Sequence, residues 1–327
     1  MEQQLVGKLP PSLLEGSVFR FCGAPRPEVI IGPGIGEDAA LLQLPEGKFL
    51  AVASDPIVGA REGAGKFLVH INANDIACKG GDPSFFVATL LVPSADGVPM
   101  VQALMREIHE ACLSIGAAVI GGHTELTSRY DQPVLVGTMM GPTAFVHRAT
   151  DIRPGDVLIL TKHAGLEGMA ILANDRPDLL LPAIGPEGVE EARGWLEQIS
   201  VLEEAKLLRG MARFLHDPTE GGVGGGIAEI VRLSGLGVEL VYGSVPFSPL
   251  TKKAVQTLDF DPLHLISSGV LLAVVPQGGE ADALAALREK GISGVAAGHF
   301  VEGAGNCPDD VREELWGLLE RPKERRE

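Results

Sequence analysis

Residues 66–79 read KFLVHINANDIACK, and the polar side chains of this segment recur at helical spacing. Asn72, Asp75 and Lys79 stand at i, i+3 and i+7, so they share one face of an α-helix. The other positions are mostly small or apolar, and two glycines follow the segment. The pattern predicts a helix over 65–79 that is buried apart from one polar stripe.

Strands and helices alternate irregularly on both sides of this helix. The strands predicted in the first half cover 39–44, 49–54, 84–92, 117–120 and 133–140, and a second helix covers 99–115. After a turn at 153–156, strands are predicted at 157–161, 237–242, 269–275 and 294–299, and helices at 165–174, 187–213, 222–234, 279–290 and 309–319. We therefore predict an α+β fold with mixed sheets, in two domains that cover 1–150 and 151–327.

The charge balance excludes one large class of partners. The 327 residues contain 27 Lys and Arg against 43 Asp and Glu, which gives a net charge of −16. A chain this acidic repels phosphate backbones, so we expect no nucleic-acid partner. We also expect a cytoplasmic protein without a membrane partner, because no run reaches the ~18 apolar residues of a membrane span and the first residues lack a secretory pattern. The four cysteines form no C-x-x-C pair, which fits reduced thiols.

Three aspartates are candidate ligands for a metal ion. Asp38 follows a glycine turn, Asp55 follows the apolar run 49–54, and Asp75 lies on the polar stripe of the predicted helix. Clustered carboxylate oxygens suit Mg²⁺, which takes one or two protein carboxylates and completes its shell with water and phosphate. An acidic protein can hold a polyphosphate in this way. The alternative is that each aspartate caps or turns the end of an element, where Asp is common.

A glycine-rich segment precedes a predicted helix in the second half. Residues 216–226 read HDPTEGGVGGG and lead into the helix predicted from residue 222. Backbone N–H groups at such a helix N-terminus can bind an anion. A loop with a close helix crossing also requires small residues at these positions. The composition leaves both interpretations open.

Five segments, in order along the chain, resemble the motifs of the AIR-synthase-related superfamily. They are Gly36-Glu37-Asp38-Ala39-Ala40, Ser54-Asp55, Gly65-Lys66 with Asn72-x-x-Asp75-Ile76-Ala77, Gly121-Gly122-His123-Thr124, and His216-Asp217-Pro218-Thr219-Glu220-Gly221-Gly222. The family includes aminoimidazole ribonucleotide synthetase, thiamine-monophosphate kinase, selenophosphate synthetase and the carbamoyl dehydratase of hydrogenase maturation. The last segment is most similar to the D-P-T-R-G-G motif of the carbamoyl dehydratase.

The resemblance implies a fold, a cofactor and an assembly. The fold is the two-domain, PurM-like arrangement, with an N-terminal mixed sheet that pairs in a homodimer and a C-terminal α+β sandwich. ATP and Mg²⁺ are the implied cofactors, and the N-terminal domain is the implied nucleotide-binding and dimer-forming domain. The C-terminal domain is implied to lie on the substrate side.

The resemblance also implies roles for individual residues. The implied metal ligands are Asp38, Asp55 and Asp75. The implied nucleotide- or substrate-binding residues are Lys66, Asn72, Gly121, Gly122, Thr124, Gly221 and Gly222. The implied catalytic residues are His123 and Asp217. Positioning and charge neutralisation are expected to supply most of the rate in such phosphoryl transfer.

Two positions depart from the family pattern. His123 stands where the family usually has Asp, and a neutral imidazole is a poorer Mg²⁺ ligand than a carboxylate. His123 is therefore a candidate general base or phosphate contact, unless it only fills a turn. Glu220 replaces the arginine of D-P-T-R-G-G, which exchanges a cation for an anion and implies a different acceptor.

The end of the printed sequence departs as well. The dehydratase carries the group that it dehydrates on a terminal cysteine, whereas this sequence ends in Arg325-Arg326-Glu327. Cys307 precedes the last predicted helix, where we expect a structural residue. Dehydration of a thiocarbamate on its own tail is therefore not the expected reaction.

Three hypotheses about function follow from the resemblance. The first is an ATP- and Mg²⁺-dependent enzyme, nearest to the hydrogenase-maturation dehydratase, that activates an amide-like or other small acceptor by phosphoryl transfer. The second is a small-molecule kinase similar to thiamine-monophosphate kinase. The third is a nucleotide-binding partner protein without catalysis. A stoichiometric product distinguishes the enzymes from the third hypothesis.

Overall fold

The computed structural model describes residues 11–19, 21–58, 63–307 and 312–322. The chain forms two compact units. The first unit contains Arg26–Pro33 and Glu37–Val146, and the second contains the described residues up to Pro25, Gly34–Gly36 and those from His147 onward. The first unit ends at Val146, and the predicted domain bounds of 1–150 and 151–327 stay a prediction.

The first unit is built on one mixed sheet. Its strands are β1 (Val29–Ile31), β2 (Ala40–Gln43), β3 (Phe49–Val58), β4 (Phe85–Pro93), β5 (Ala118–Thr127) and β6 (Val134–Thr143), and its helices are α2 (Ala64–Cys78) and α3 (Gly97–Ile115). The strand order is β1-β2-β3-β6-β4-β5. The β4–β5 pair is parallel and the other neighbours are antiparallel.

Helices cover one face of this sheet. Strand β6 alternates between buried and half-buried residues, as a strand does when only one face meets a core. α2 packs on β3 and β6, and α3 packs on β4 and β5. The approach of α2 is close, because a Cβ at Gly137 would lie 2.7 Å from Asn72 Nδ2. The opposite face of β4 and β6 is half-buried, and β5 is exposed along almost its whole length.

The second unit has an antiparallel sheet of five strands. The strands are β7 (Val157–Thr161), β8 (Phe214–His216), β9 (Gly237–Leu240), β10 (Leu272–Val275) and β11 (Gly294–Val301), in the order β8-β10-β7-β11-β9. The helices are α1 (Pro11–Ser17), α4 (Leu166–Asp175), α5 (Pro177–Gly194), α6 (Leu202–Leu208), α7 (Gly222–Ser234), α8 (Pro249–Leu258), α9 (Glu280–Glu289) and α10 (Glu314–Leu319). One apolar cluster joins the sheet to α7, and a second joins α4, α5, α8 and α10. The prediction of an α+β fold is confirmed; the first sheet is mixed and the second is antiparallel.

Two strands run further than the sequence indicates. β3 continues through Asp55 to Val58 because all ten of its residues pair with β6, so Asp55 lies inside the strand and not at its end. β5 continues through the Gly121-Gly122-His123-Thr124 motif because β4 pairs with it as far as Thr127. The motif therefore belongs to an edge strand and does not form a turn.

The helix predicted at 187–213 is interrupted. The chain leaves α5, passes through a short 3₁₀ turn at Trp195–Gln198 and re-enters a helix at α6. Lys162 Nζ donates to the carbonyl oxygens of Gln198 and Ser200, at 2.9 and 2.6 Å, which holds the chain out of the helix there. A tertiary contact of this kind produces no periodic pattern in the local sequence, so the interruption could not be predicted from it.

The final helix begins later than predicted. The sequence indicates a helix over 309–319, and α10 covers Glu314–Leu319. The described part of the chain does not include residues 308–311 or 323–327. The prediction about the C-terminal tail concerns the second of these ranges. Cys307 packs half-buried against the apolar cluster of the sheet and α7, in agreement with a structural role. No helix in the described part of the chain is both long and apolar enough to span a membrane.

Candidate functional site

Asn72 of α2 holds the backbone of β3 at Asp55. Its Oδ1 accepts the N–H of Asp55 at 2.9 Å, and its Nδ2 donates to the carbonyl oxygens of Asp55 and Leu68, at 3.4 and 2.8 Å. β2 pairs with β3 only as far as Val52, so the amide of Asn72 takes the place of a strand neighbour at Asp55. Asn72 is 0% exposed. Asn72 therefore positions the backbone of Asp55, and its expected contact with a ligand stays a prediction.

The three candidate metal ligands differ in exposure. Asp38, just before β2, and Asp55, within β3, are half-buried. Asp75 lies one helical turn after Asn72 and is only 6% exposed. In the part of the chain that the structure describes, no group of three or more His, Cys, Asp or Glu side chains is arranged to hold a metal ion. The described residues of the first unit thus form no complete protein cage for a cation.

This donor set is compatible with Mg²⁺ that bridges to a phosphate. Mg²⁺ is usually bound by one or two carboxylates and keeps oxygen ligands from water and substrate phosphates. Asp38 and Asp55 supply hard, partly accessible carboxylates of this kind. The enclosed Asp75 fits a supporting position better than direct contact. The assignment of these aspartates as metal ligands stays a prediction.

The N-terminus of α2 already holds an anion from the protein itself. Glu107 of α3 accepts the N–H groups of Gly63 and Gly65, at 3.1 and 2.9 Å. A Cβ at Gly65 would lie 2.5 Å from the carbonyl oxygen of Leu104, so this glycine permits close packing of α2 on α3. Lys66 is half-buried in the same turn. The N–H groups of Gly63 and Gly65 are already bonded to Glu107. Lys66 is therefore the candidate for binding a phosphate at this end of the helix.

Lys79, on the polar stripe with Asn72 and Asp75, forms an ion pair with Glu37. Its Nζ contacts Glu37 Oε2, and the Lys79 side chain is 1% exposed. Thr143 Oγ1 donates to the carbonyl oxygen of Lys79 at 3.2 Å. A buried charge pair of this kind is costly to break, because one charge is then left without compensation. The pair ties the end of α2 to the loop that carries Asp38.

The Gly121–Thr124 motif lies on the exposed strand β5. His123 Nε2 is 3.6 Å from Glu125 Oε2, and both side chains are exposed. Gly122 has φ +155°, and a Cβ there would lie 2.0 Å from the carbonyl oxygen of Ala88. Gly122 is therefore required for the approach of β5 to β4. Since β5 is a strand, the possibility that His123 fills a turn is excluded, and its catalytic role stays a prediction.

Close packing accounts for three glycines of the 216–226 segment. A Cβ at Gly222 would lie 2.5 Å from the carbonyl oxygen of Leu263, and one at Gly224 would lie 2.8 Å from the ring of His264. A Cβ at Gly226 would lie 2.8 Å from Pro218. The structure thus favours the packing interpretation over an open anion cradle. Gly221 and Gly222 remain only predicted as substrate contacts.

Three carboxylates bind the backbone around this glycine loop. Asp217 Oδ1 accepts the N–H of Gly269 at 3.3 Å, and Glu167 Oε2 accepts the N–H of Ser268 at 3.1 Å. Glu313 accepts the N–H of Gly221 at 2.6 Å and that of Ile266 at 3.2 Å. Asp217 is 2% exposed, so its environment is fixed by these neighbours.

Burial shifts the proton affinity of two of these carboxylates. The pKa of Glu313 is raised to about 7, chiefly by burial, against the opposing effect of its three backbone N–H donors; Glu220 raises it further. Burial also raises the pKa of Glu167, with Ser268 as a partly compensating donor and Glu220 as a repelling charge. Titratable groups shifted in this way cluster at functional sites more often than elsewhere. The second unit therefore offers a buried acidic centre next to Asp217.

Sequence reasoning missed Glu107, Glu167 and Glu313. Each binds backbone N–H groups that are distant along the chain, with separations of 42, 101 and 92 residues for Gly65, Ser268 and Gly221. Local periodicity carries no signal for such contacts. The clue within the sequence was Glu220, because an anion in place of the arginine indicates that the surroundings of this loop have changed.

Two family models match the chain in succession. The model of the AIR synthase related protein N-terminal domain matches residues 36–143. The model of the AIR synthase related protein C-terminal domain matches residues 153–306. All of the candidate residues named from the sequence fall within these two ranges.

Individual proteins resemble the chain over most of its length. The carbamoyl dehydratase HypE of Escherichia coli is 28% identical over 286 residues, which cover 82% of this chain and 82% of that protein. A crystal structure from Thermus thermophilus has a TM-score of 0.72 at 25% identity, and the likeness covers 90% of this chain and 93% of that one. A crystal structure of the hydrogenase maturation protein HypE in complex with ATP has a TM-score of 0.67 at 21% identity, over 83% of this chain and 82% of that one, and shows likeness of fold.

Proposed function

Because the chain belongs to the AIR synthase related protein family, we propose that it is an ATP- and Mg²⁺-dependent enzyme of the carbamoyl-dehydratase type, which activates a small acceptor by phosphoryl transfer. The observation that carries the proposal is the match of both domain models, in order, over 36–143 and 153–306. The prediction of the family from five short motifs is confirmed.

The first unit supplies the nucleotide-binding groups in this proposal. Asp38 and Asp55 hold Mg²⁺ with their partly accessible carboxylates, and Lys66 approaches a phosphate at the start of α2. Asn72 keeps Asp55 in place through its bonds to the backbone of β3. The bound cation neutralises phosphate charge, which is the main requirement in phosphoryl transfer. The first unit thus combines carboxylates for the cation with one lysine for the polyphosphate.

The second unit supplies the acceptor side. Asp217 is the candidate for moving a proton at the acceptor, since its Oδ1 is oriented by the N–H of Gly269. Glu220 adds negative charge close to the buried Glu167 and Glu313. An acceptor that carries its own phosphate is repelled by this charge, so we propose an uncharged, amide-like group. This chemistry differs from that of a kinase that acts on a phosphorylated vitamin.

We also propose a homodimer through the sheet of the first unit. Helices cover one face of that sheet only, among the described residues, and β5 exposes apolar side chains, with Ile120 at 55% and Val119 at 40%. Exposed apolar surface on an edge strand is a typical site of association. Sedimentation equilibrium tests this part: a dimer that Ile120→Lys dissociates supports it, and a wild-type monomer at micromolar concentration contradicts it.

Product analysis tests the proposed chemistry. Purified protein is incubated with Mg²⁺–ATP and a panel of primary amides and S-carbamoylated cysteine peptides, in water enriched in ¹⁸O. Acceptor-dependent release of ADP, with phosphate that gains its new oxygen from the acceptor and remains free of ¹⁸O, supports the proposal. Phosphate that is labelled from water at the same rate with and without acceptor indicates hydrolysis alone and contradicts the acceptor chemistry.

A further inference from the structure

The segment 312–322 is fixed at both ends to the second unit. α10 lies in the middle of this segment, which we call the strap. Leu315 and Leu318 of α10 are buried in the apolar cluster that α4, α5 and α8 share. The strap follows residue 306, where the match to the family model ends. It is therefore a feature of this chain that the family match does not account for.

Glu313 fixes the first end of the strap. Its Oε2 accepts the N–H of Gly221 at 2.6 Å, and its Oε1 accepts the N–H groups of Ile266 and Leu315, at 3.2 and 2.8 Å. The bond to Leu315 caps α10, so the same carboxyl group serves its own helix and two distant loops.

Arg176 fixes the other end. Its Nη1 donates to the carbonyl oxygens of Leu319 and Arg321, at 2.7 and 2.8 Å, at the end of α10, where carbonyl groups lack helical partners. Its Nη2 binds Asp178 Oδ2 at 2.8 Å, which holds the guanidinium group in place. Arg176 is buried. The strap is thus a short helix held by a carboxylate at one end and a guanidinium group at the other.

Of the two loops that Glu313 joins, one contains Asp217 and the other donates a hydrogen bond to it. One is the 217–222 loop itself, which contains Gly221. The other contains Ile266 and, three residues later, Gly269, whose N–H binds Asp217 Oδ1 at 3.3 Å. Loss of the Glu313 hydrogen bonds therefore releases the backbone of both loops, at Gly221 and at Ile266.

We propose that Glu313 is a positioning residue for the acceptor site, and that the strap keeps Asp217 in its reactive orientation. This inference rests on the proposed role of Asp217. Glu313 acts through the backbone of the two loops and does not contact the acceptor. Loss of its carboxylate is therefore expected to slow turnover while nucleotide binding, which depends on the first unit, stays the same.

The test compares Glu313→Gln with Glu314→Gln, which removes the same charge from the next residue. Glu314 has no backbone N–H of either loop as a partner among the hydrogen bonds of the described residues. We expect amide hydrogen exchange in peptides covering 217–222 and 265–270 to become at least about 10-fold faster in Glu313→Gln, the size expected for loss of a buried hydrogen bond. In Glu314→Gln the exchange rate stays at the wild-type value.

Two functional measurements separate positioning from general destabilisation. We expect kcat for ATP consumption to fall about 10-fold in Glu313→Gln, with unchanged affinity for a non-hydrolysable ATP analogue. Arg176→Gln releases the far end of the strap with Glu313 intact, and we expect the same loops to exchange faster. If Glu313→Gln does not fold, the exchange rates of the two loops in Arg176→Gln test the role of the strap instead.

The outcomes also separate this inference from the proposed function. Wild-type exchange rates in both loops of Glu313→Gln overturn the inference, as does a parallel loss of nucleotide affinity. A wild-type protein that binds no ATP analogue contradicts the proposed function. In that case faster exchange in Glu313→Gln still demonstrates that Glu313 orders the loops.

Discussion

Glu313 Oε2 lies 2.6 Å from the backbone nitrogen of Gly221, although 92 residues separate the two in the chain. The N–H of Gly221 is the group that the glycine-rich loop would otherwise present to an anionic ligand at the start of α7. Because an internal carboxylate fills this position, an external anion has to displace it. The acidic centre of the second unit is therefore suited to an acceptor without its own phosphate.

The first prediction concerns pH. Burial raises the pKa of Glu313 from 4.5 to about 7, with Glu220 as a further repelling charge. Since the folded-state pKa lies above the unfolded value, the stability that this group contributes is fully present below pH 4.5 and is lost as pH rises through about 7. Glu313→Gln stays neutral, so we expect its melting temperature relative to wild type to rise between pH 5 and pH 8.5, by at least ~2 °C.

Differential scanning fluorimetry of the two proteins across this pH range provides the measurement. Glu167 also has a raised pKa because of burial, but it is present in both proteins and cancels in the difference. Glu314→Gln, which loses an equal charge, is expected to show no such trend. A melting-temperature difference that does not change with pH contradicts the assignment.

The second prediction concerns Asn72. Asn72→Ala removes three hydrogen bonds and leaves the N–H of Asp55 without its side-chain partner in a half-buried position. We expect the free energy of unfolding to fall by about 2–3 kcal/mol. Urea titration followed by circular dichroism measures the loss. A change below ~0.5 kcal/mol is the size of an ordinary surface substitution and contradicts this role.

The third prediction uses two neighbouring glycines as a matched pair. A Cβ at Gly122 would lie 2.0 Å from the carbonyl oxygen of Ala88, whereas one at Gly121 would have no atom within 4 Å. Gly122→Ala is therefore expected to destabilise the protein by about 1–3 kcal/mol, and Gly121→Ala to change stability much less. Equal effects in urea titrations of the two variants contradict the structural role of Gly122.

The fourth prediction concerns the candidate metal ligands. Asp38→Asn and Asp55→Asn each remove a carboxylate charge that is partly accessible. We expect each to weaken binding of an ATP analogue about 10-fold or more in the presence of Mg²⁺ and little in its absence. Asp82→Asn is the control, since Asp82 is exposed in the same unit and is not a candidate ligand. Equal losses with and without Mg²⁺ point to a general effect of charge or folding.

Local patterns in the sequence were sufficient to place several elements. The stripe of Asn72, Asp75 and Lys79 predicts α2, and the structure gives Ala64–Cys78. The glycines at both ends of α7 fix its bounds, because Gly221 and Gly235 adopt the left-handed conformation that ends a helix. These signals lie within a few residues of what they predict.

Other features depend on partners that are remote in sequence. Asp55 was expected at a strand end, but the pairing of β3 with β6 extends the strand past it. The predicted strand ended at residue 120, before the Gly121–Thr124 motif, but pairing with β4 extends β5 through the motif. The side chain of Asn72 binds the backbone of β3 at Asp55, a contact that no local pattern indicates. In each case tertiary hydrogen bonding overrides a local preference.

The most direct test of the account is calorimetric titration of the full chain with a non-hydrolysable ATP analogue, with and without Mg²⁺. The carboxylates Asp38 and Asp55 and the family to which the chain belongs predict binding that is saturable and at least about 10-fold tighter with the cation present. Binding that is absent under both conditions contradicts the proposed function and favours a protein that has kept the fold without the nucleotide chemistry.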